Sequence, residues 1–193
     1  MKYDYILKTV QDVIQETGSR NLEEICSYYG IEIRRHDLKR KLKAYFYYNP
    51  ADEIPFIVID LNVSDIFYRI LLAHEIGHYF LHRQEGIVHA FCFQEFDVLE
   101  MNVIQDKEYE ANLFAAELLL EDSNVMEALH SNSFFTAAAM LKVPAALLDF
   151  KVRSLQSKGQ ALYTFSSPKA SFLKEDCGAY NAYNYNDSYN DFD

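Results

Sequence analysis

The amino-acid sequence predicts an α+β fold, in which a small sheet of about three strands precedes one long helix and several further helices. Apolar residues recur at helical spacing near the N-terminus, and short apolar or alternating stretches follow between residues 31 and 61. Helical periodicity returns after residue 64 and continues to about residue 158. The 193 residues, half of them hydrophobic, suffice for one domain with a sizeable core.

Two helices are predicted before the first strand. Apolar residues between positions 3 and 17 follow helical spacing, and this helix ends near Gly18. Asn21 is a suitable cap for a second, short helix that Gly30 stops. We interpret both helices as scaffold.

Three strands are predicted next, at residues 31–35, 44–48 and 55–61. The third is a nearly continuous apolar run directly before the long helix. Its edge could bind an extended peptide, or both of its edges could already be paired within the sheet. The sequence does not decide between these alternatives.

A long helix is predicted from about residue 64 to residue 83, with Asn62 and Asp65 as its N-terminal capping signal. Gly77 lies in its interior, where glycine costs about 1 kcal/mol relative to alanine. That cost is reasonable if another backbone passes close to this point. The sequence therefore predicts a close contact at Gly77.

This helix carries the pattern HExxH, formed by His74, Glu75 and His78. Residues four apart on a helix are rotated by only about 40° and separated by about 6 Å, so both imidazoles leave one face. Two neutral nitrogens so placed suit zinc, and the glutamate after the first ligand can take a proton from a water beside the metal.

A zinc enzyme needs a third protein ligand and one open coordination position. Residues 105–121 form a predicted helix with a strong apolar face, and its acidic residues are candidates for that ligand. They are Asp106, Glu108, Glu110 and Glu117. Periodicity alone does not choose among them.

The segments LLAHEIGHYFLH and EYEANLFAAELLL together resemble the ImmA/IrrE family of zinc metallopeptidases, over roughly residues 5–158. The resemblance implies a zincin-like metallopeptidase domain within the α+β fold. It implies that Glu108 is the third zinc ligand and that Asn112, one turn later, hydrogen-bonds a zinc-bound histidine. Glu110 and Glu117 are then expected to be surface or structural residues.

Two further histidines are candidates for supporting roles around the metal. His82 shares the face of His74 and His78, but it lies about 12 Å from His74 along the axis. A contact with a ligand, or a purely structural role, therefore fits His82 better than ligation. His89, in the segment after the helix, could hold a substrate oxyanion or have a local role.

The chain divides into three predicted parts. Residues 1–122 form the metallopeptidase core, and residues 123–159 form helices with a helix-turn-helix rhythm. We expect this helical segment to pack on the core; contact with DNA or a repressor is the alternative, although Lys151 and Arg153 are few cations for phosphate binding. Residues 160–193, rich in Tyr, Asn and Asp, are expected to be a flexible tail.

Composition restricts the compartment and the partners. The net charge of −11 disfavours nucleic-acid binding and favours a basic protein partner. The sequence shows no signal peptide and no apolar run of membrane-spanning length, so we expect no membrane association. Three widely spaced cysteines, Cys26, Cys92 and Cys177, indicate reduced thiols in a cytoplasmic protein.

The resemblance implies a cytoplasmic zinc endopeptidase that cleaves a helix-turn-helix repressor at a specific site and derepresses mobile-element, phage or stress genes. His74, His78 and Glu108 would bind the zinc, and Glu75 would be the general base. One alternative is a non-proteolytic antirepressor whose zinc is structural. Another is a DNA-binding regulator that uses the helices at residues 133–157.

The charge leads to a testable expectation. An enzyme at −11 attracts a basic repressor over a long range, and dissolved salt screens that attraction. Cleavage of such a substrate should therefore slow as the salt concentration rises. A cleavage rate that does not depend on ionic strength would show that long-range attraction does not bring enzyme and repressor together.

Overall fold

The structure of the protein, a computed structural model, describes residues 2–39, 42–48, 54–85 and 98–162. These residues form an α+β architecture, as the sequence predicts, with seven α-helices and one three-stranded sheet. No helix within them combines the length and apolar character needed to cross a membrane. The elements are α1 (Lys2–Thr17), α2 (Leu22–Tyr28), β1 (Glu32–His36), β2 (Ala44–Tyr47), β3 (Phe56–Asp60), α3 (Asp65–His82), α4 (Val98–Leu119), α5 (Asp122–Ser131), α6 (Phe134–Met140) and α7 (Ala145–Ser157).

Strand β3 lies at the centre of the sheet. It pairs with β1 in parallel and with β2 in antiparallel orientation. Of the two alternatives for this strand, the one with both edges paired is therefore correct, and β3 offers no free edge to a peptide. Ile57, Val58 and Ile59 are all buried, which explains why the strand is a continuous apolar run instead of an alternating one.

Helix α1 and the linker between α1 and α2 contact helix α4. The Arg20 guanidinium donates hydrogen bonds to the carbonyl oxygens of Glu117 and Leu118, at 3.0 and 2.9 Å, near the end of α4. These carbonyls belong to the last turn, where no helical donor is left to satisfy them. The hydroxyls of Tyr3 on α1 and Tyr109 on α4 also lie 3.2 Å apart. Both contacts agree with the scaffold role that the sequence suggests.

The predicted N-terminal cap of α2 is confirmed, whereas the predicted cap of α3 is wrong. The side chain of Asn21 caps α2 as predicted. Helix α3 is capped by Ser64, whose hydroxyl accepts from the backbone N–H of Phe67, and not by Asn62. The Asn62 side chain instead donates to the Asp60 carboxylate at 2.8 Å. Ser, Asn and Asp are all good caps, so where several adjoin, the path of the chain selects one.

Helix α4 begins at Val98, earlier than the expected start at residue 105. The added turns contain Val98, Val103 and Ile104, which are β-branched and have lower helix propensity, so the local signal there is weak. His89, in the segment after α3, lies outside the described residues. So does the expected tail beyond residue 162.

Helices α3 and α4 meet at Gly77. A Cβ atom added there would lie 3.2 Å from the Cα and the carbonyl oxygen of Ala111, and equally close to the Cβ of Phe114. The predicted close contact is therefore confirmed, and its partner is the backbone of α4. The stacked rings of Phe80 and Phe114, with centroids 5.8 Å apart, extend the same interface.

Helix α7 packs on α4, and most of its residues are buried. Its cations take part in ion pairs within the protein. Lys151 is only 1% exposed, and its ammonium donates to the Glu117 carboxylate at 2.8 Å. Arg153 donates to Asp149 at 3.3 Å. Because these two cations already have internal partners, the surface of α7 supplies little positive charge for phosphate contacts.

Replacing Gly77 with alanine tests the importance of the α3–α4 contact. Alanine raises helix propensity by about 1 kcal/mol, but an added methyl in a well-packed interface costs about 1–3 kcal/mol. Because the nearest atoms belong to backbone, we expect Gly77→Ala to lower the free energy of unfolding by about 1 kcal/mol. Urea unfolding of the metal-free protein measures this, and Gly77→Val should lower it further. An unchanged midpoint for both variants would contradict the prediction.

Candidate metal centre

Helices α3 and α4 bring three potential metal ligands together. The Nε2 atoms of His74 and His78 lie 3.0 Å apart. The Glu108 carboxylate reaches both rings, with one oxygen 3.4 Å from His74 Nε2 and the other 3.3 Å from His78 Nε2. All three side chains are buried, so the cluster lies inside the protein and is not a chance grouping of surface charges.

The local sequence explains this convergence. His74 and His78 are four residues apart on α3 and therefore share one face. Glu108 and Asn112 have the same spacing on α4 and face them. Glu108 contacts both histidines and Asn112 contacts His74, so these two faces of the helices lie against each other. The contact at Gly77, between the two histidines, brings the α4 backbone close enough for a carboxylate to reach both rings.

The donor set fits a zinc ion. Tetrahedral ligands about 2.0–2.1 Å from zinc are separated from one another by about 3.3 Å. The three separations here are 3.0, 3.3 and 3.4 Å. Two imidazoles and one carboxylate are also the ligand types of many catalytic zinc sites, which leave the fourth position open. Both the spacing and the chemistry of these residues therefore suit a single divalent cation.

Each histidine is held by a hydrogen bond at its other ring nitrogen. His74 Nδ1 lies 2.9 Å from Oδ1 of Asn112, an atom that can only accept, so this nitrogen carries the hydrogen. The lone pair of the neutral ring is then on Nε2, toward Glu108. His78 Nδ1 lies 3.0 Å from His82 Nδ1, and His82 Nε2 lies 3.0 Å from the Glu110 carboxylate.

Burial and proximity shift the ionisation of the three side chains. Burial acts to lower the pKa of His74, but the adjacent Glu108 carboxylate outweighs it, and this pKa is raised above its usual value. Burial disfavours a charged Glu108, but the close approach of the His74 and His78 rings outweighs it and holds the pKa of this carboxyl well below its usual range. Burial, together with the neighbouring histidines, lowers the pKa of His78 to about 3. His78 is therefore neutral at physiological pH, which is the form that binds a metal.

Glu75 directly follows His74 on α3, but its side chain has a different environment. Burial, reinforced by the negative charge of Glu108, raises its pKa to about 8, and a nearby cation would lower this value. Its carboxylate accepts a hydrogen bond from the backbone N–H of Phe46 on β2. The Phe46 ring packs edge-on against Tyr79 of α3, with centroids 5.9 Å apart. Strand β2 therefore positions a carboxylate that can exchange a proton near neutral pH.

The other residues considered from the sequence have varied positions. His82 contacts His78 and does not join the three convergent donors. Among the acidic candidates of α4, Asp106 is exposed, while Glu117 is buried against Lys151 and belongs to a structural ion cluster. His89 lies outside the described residues.

Two contacts were not expected from the sequence. Glu110, interpreted as a surface or structural residue, hydrogen-bonds His82. The backbone of Phe46 hydrogen-bonds Glu75. No sequence signal indicates either contact, because both join elements that are distant along the chain and come together only through packing.

Sequence similarity to known proteins supports the assignment of this chain as a metallopeptidase. The chain is 32% identical over 160 residues to Metallopeptidase ImmA of Bacillus subtilis (strain 168), an alignment that covers 80% of this chain and 88% of the relative. It is 31% identical over 153 residues to "Uncharacterized immunity region protein 2" of Bacillus phage phi105, covering 77% of this chain and 90% of that protein.

Residues 26–153 match the model of the peptidase M78 family, described as the IrrE N-terminal-like domain. The match covers most of the chain and includes α3 and α4. The chain therefore belongs to this family and is a metalloprotease. The resemblance that the two motifs indicate is confirmed.

The role of Glu108 can be tested by metal binding. Gln in place of Glu108 keeps the shape but removes the charge and one of the two acceptor oxygens, so we expect zinc affinity to fall at least about a hundredfold. Competition with a chromophoric chelator measures this change. Glu127→Gln, the same change at an exposed position on α5, should bind zinc like the unaltered protein. Equal affinities for the two variants would exclude Glu108 as a ligand.

Proposed function

We propose that the protein is a zinc-dependent endopeptidase that cleaves a helix-turn-helix transcriptional repressor in the cytoplasm. Cleavage would derepress genes of a mobile element, a phage or a stress response. The main support is the position of Glu75, a buried carboxylate beside three convergent metal donors. A site that only stabilised the fold would gain nothing from an additional buried acid, because burying such a group is costly.

In this proposal His74, His78 and Glu108 hold Zn²⁺. When bound, the metal would act as a Lewis acid that polarises the scissile carbonyl and lowers the pKa of a water molecule. Asn112 keeps the His74 ring in the tautomer whose Nε2 is available, through the hydrogen bond of 2.9 Å. Burial of all three ligands excludes bulk water, which strengthens electrostatic interactions within the site.

Glu75 moves the proton. Its carboxylate takes a proton from the attacking water and later delivers it to the amide nitrogen of the leaving peptide. The same group must accept and then donate, and the position of the Glu75 carboxylate beside the three convergent side chains suits both steps. The N–H of Phe46 orients the carboxylate throughout, so the sheet contributes to catalysis through backbone position and not through a side chain.

A basic protein is the substrate class that the charge favours. The chain carries 29 acidic and 18 basic residues, and DNA-binding repressors are commonly basic. The phage relative is named as an immunity region protein, which is consistent with a regulatory partner. Direct DNA binding is disfavoured, since Lys151 and Arg153 of α7 are already paired with carboxylates.

The decisive experiment uses Glu75→Gln. We expect this variant to keep its zinc, because Glu75 is not a ligand, and to lose cleavage by at least about a hundredfold, the usual contribution of a general base. The zinc-loaded protein is incubated with the repressor encoded beside its gene, and mass spectrometry detects the fragments. Glu127→Gln is the control, since it removes one carboxylate charge at an exposed position.

Three results would contradict the proposal. Normal cleavage by Glu75→Gln would show that another group is the base. An intact repressor held in a stable complex with the unaltered protein would instead identify a non-proteolytic antirepressor with a structural zinc. A salt-sensitive shift of DNA by the protein alone would favour a DNA-binding regulator.

A further inference from the structure

A chain of hydrogen bonds leads from His78 toward the surface. His82 follows His78 by one turn of α3, and their Nδ1 atoms lie 3.0 Å apart. The far nitrogen of His82, Nε2, lies 3.0 Å from a carboxylate oxygen of Glu110 on α4. The His82 side chain is 3% exposed, whereas that of Glu110 is 19% exposed. The chain therefore begins in the buried cluster and ends at a partly solvated carboxylate.

With Glu110 ionised and His82 neutral, the chemistry of the partners determines the direction of each hydrogen bond. An ionised Glu110 can only accept, so His82 Nε2 carries the hydrogen. A neutral imidazole has one N–H, which leaves His82 Nδ1 as an acceptor. His78 Nδ1 must then donate, and the lone pair of His78 is on Nε2, the atom that lies 3.3 Å from Glu108. Each contact thus selects the tautomer of His78 that can bind a metal.

The two histidines of the HExxH motif are supported unequally. The hydrogen bond partner of His74 is the neutral amide oxygen of Asn112, whereas that of His78 is an imidazole backed by a carboxylate. A carboxylate behind a ligand histidine fixes its orientation and increases the electron density that it donates. His78 should therefore be the more strongly polarised of the two ligands.

We infer that His82 and Glu110 are positioning residues, which hold His78 in its metal-binding tautomer and strengthen its bond to the ion. This inference rests on the proposed metal site. It assigns a role in metal retention to Glu110, which acts through His82, and it needs no direct contact between either residue and the ion.

Glu110→Gln and His82→Ala test the relay by zinc affinity, measured by chelator competition on the full chain without any peptide. The amide oxygen introduced by Glu110→Gln can still accept from His82, so this variant isolates the charge, and we expect about a tenfold loss of affinity. His82→Ala removes the acceptor of His78 and should cost about a hundredfold. His82→Gln should recover part of this loss, since an amide oxygen can accept from His78 as Asn112 does from His74.

Controls separate this role from folding. Glu127→Gln should leave zinc affinity unchanged, and urea unfolding of the metal-free proteins should give Glu110→Gln the same midpoint as the unaltered chain. The visible spectrum of the Co²⁺-substituted protein should change for Glu110→Gln, because the donor strength of one ligand changes. Such a spectral change is not expected from a residue that only stabilises the fold.

Unaltered zinc affinity in both Glu110→Gln and His82→Ala would overturn the inference. It would also be overturned if His82→Gln bound zinc no better than His82→Ala, since hydrogen bonding would then not be the role of His82. The assay contains no substrate, so absence of proteolysis would not affect its result. Failure of the unaltered protein to bind zinc would refute the proposed metal site itself, and the two failures are thus distinguishable.

Discussion

The close packing of α3 against α4 at Gly77 is the constraint on which the rest of the site depends. A Cβ atom added at Gly77 would lie only 3.2 Å from the α4 backbone, and at this close approach one carboxylate of α4 reaches two imidazoles of α3. A larger side chain would hold the helices apart and move Glu108 away from the histidines. The helix therefore tolerates a residue of low propensity, because its small size determines the geometry of the cluster.

The remaining elements stabilise that geometry. Tyr3 of α1 and Arg20 in the linker before α2 contact α4, and α7 also packs on α4 around the paired ammonium of Lys151. The sheet contributes through β2, whose backbone orients Glu75. Buried ionisable groups are costly unless each has a partner, and hydrogen bonds to His74, His78 and Glu75 meet that requirement. The site is thus a property of the whole core.

Several features were predictable because their signals are local. The HExxH spacing, the α2 cap at Asn21 and the close contact at Gly77 each follow from residues within a few positions of one another. Other features were less accessible. The sequence pattern favours Asn62 as the cap of α3 although Ser64 is the cap, since both residues have the chemistry of a cap. The sequence does not indicate the first turns of α4, because β-branched residues weaken the helical signal there.

The sequence by itself determined the α+β class, the family, and a helix that presents two histidines on one face, because helical periodicity relates residues only three or four positions apart along the chain. Four acidic residues of the next helix remained equivalent by periodicity, and only the family resemblance favoured Glu108. Tertiary structure decided that Glu108 meets the histidines and that Glu110 supports His82, since such contacts depend on how two separate helices cross. That crossing results from packing across the core, which no local pattern records.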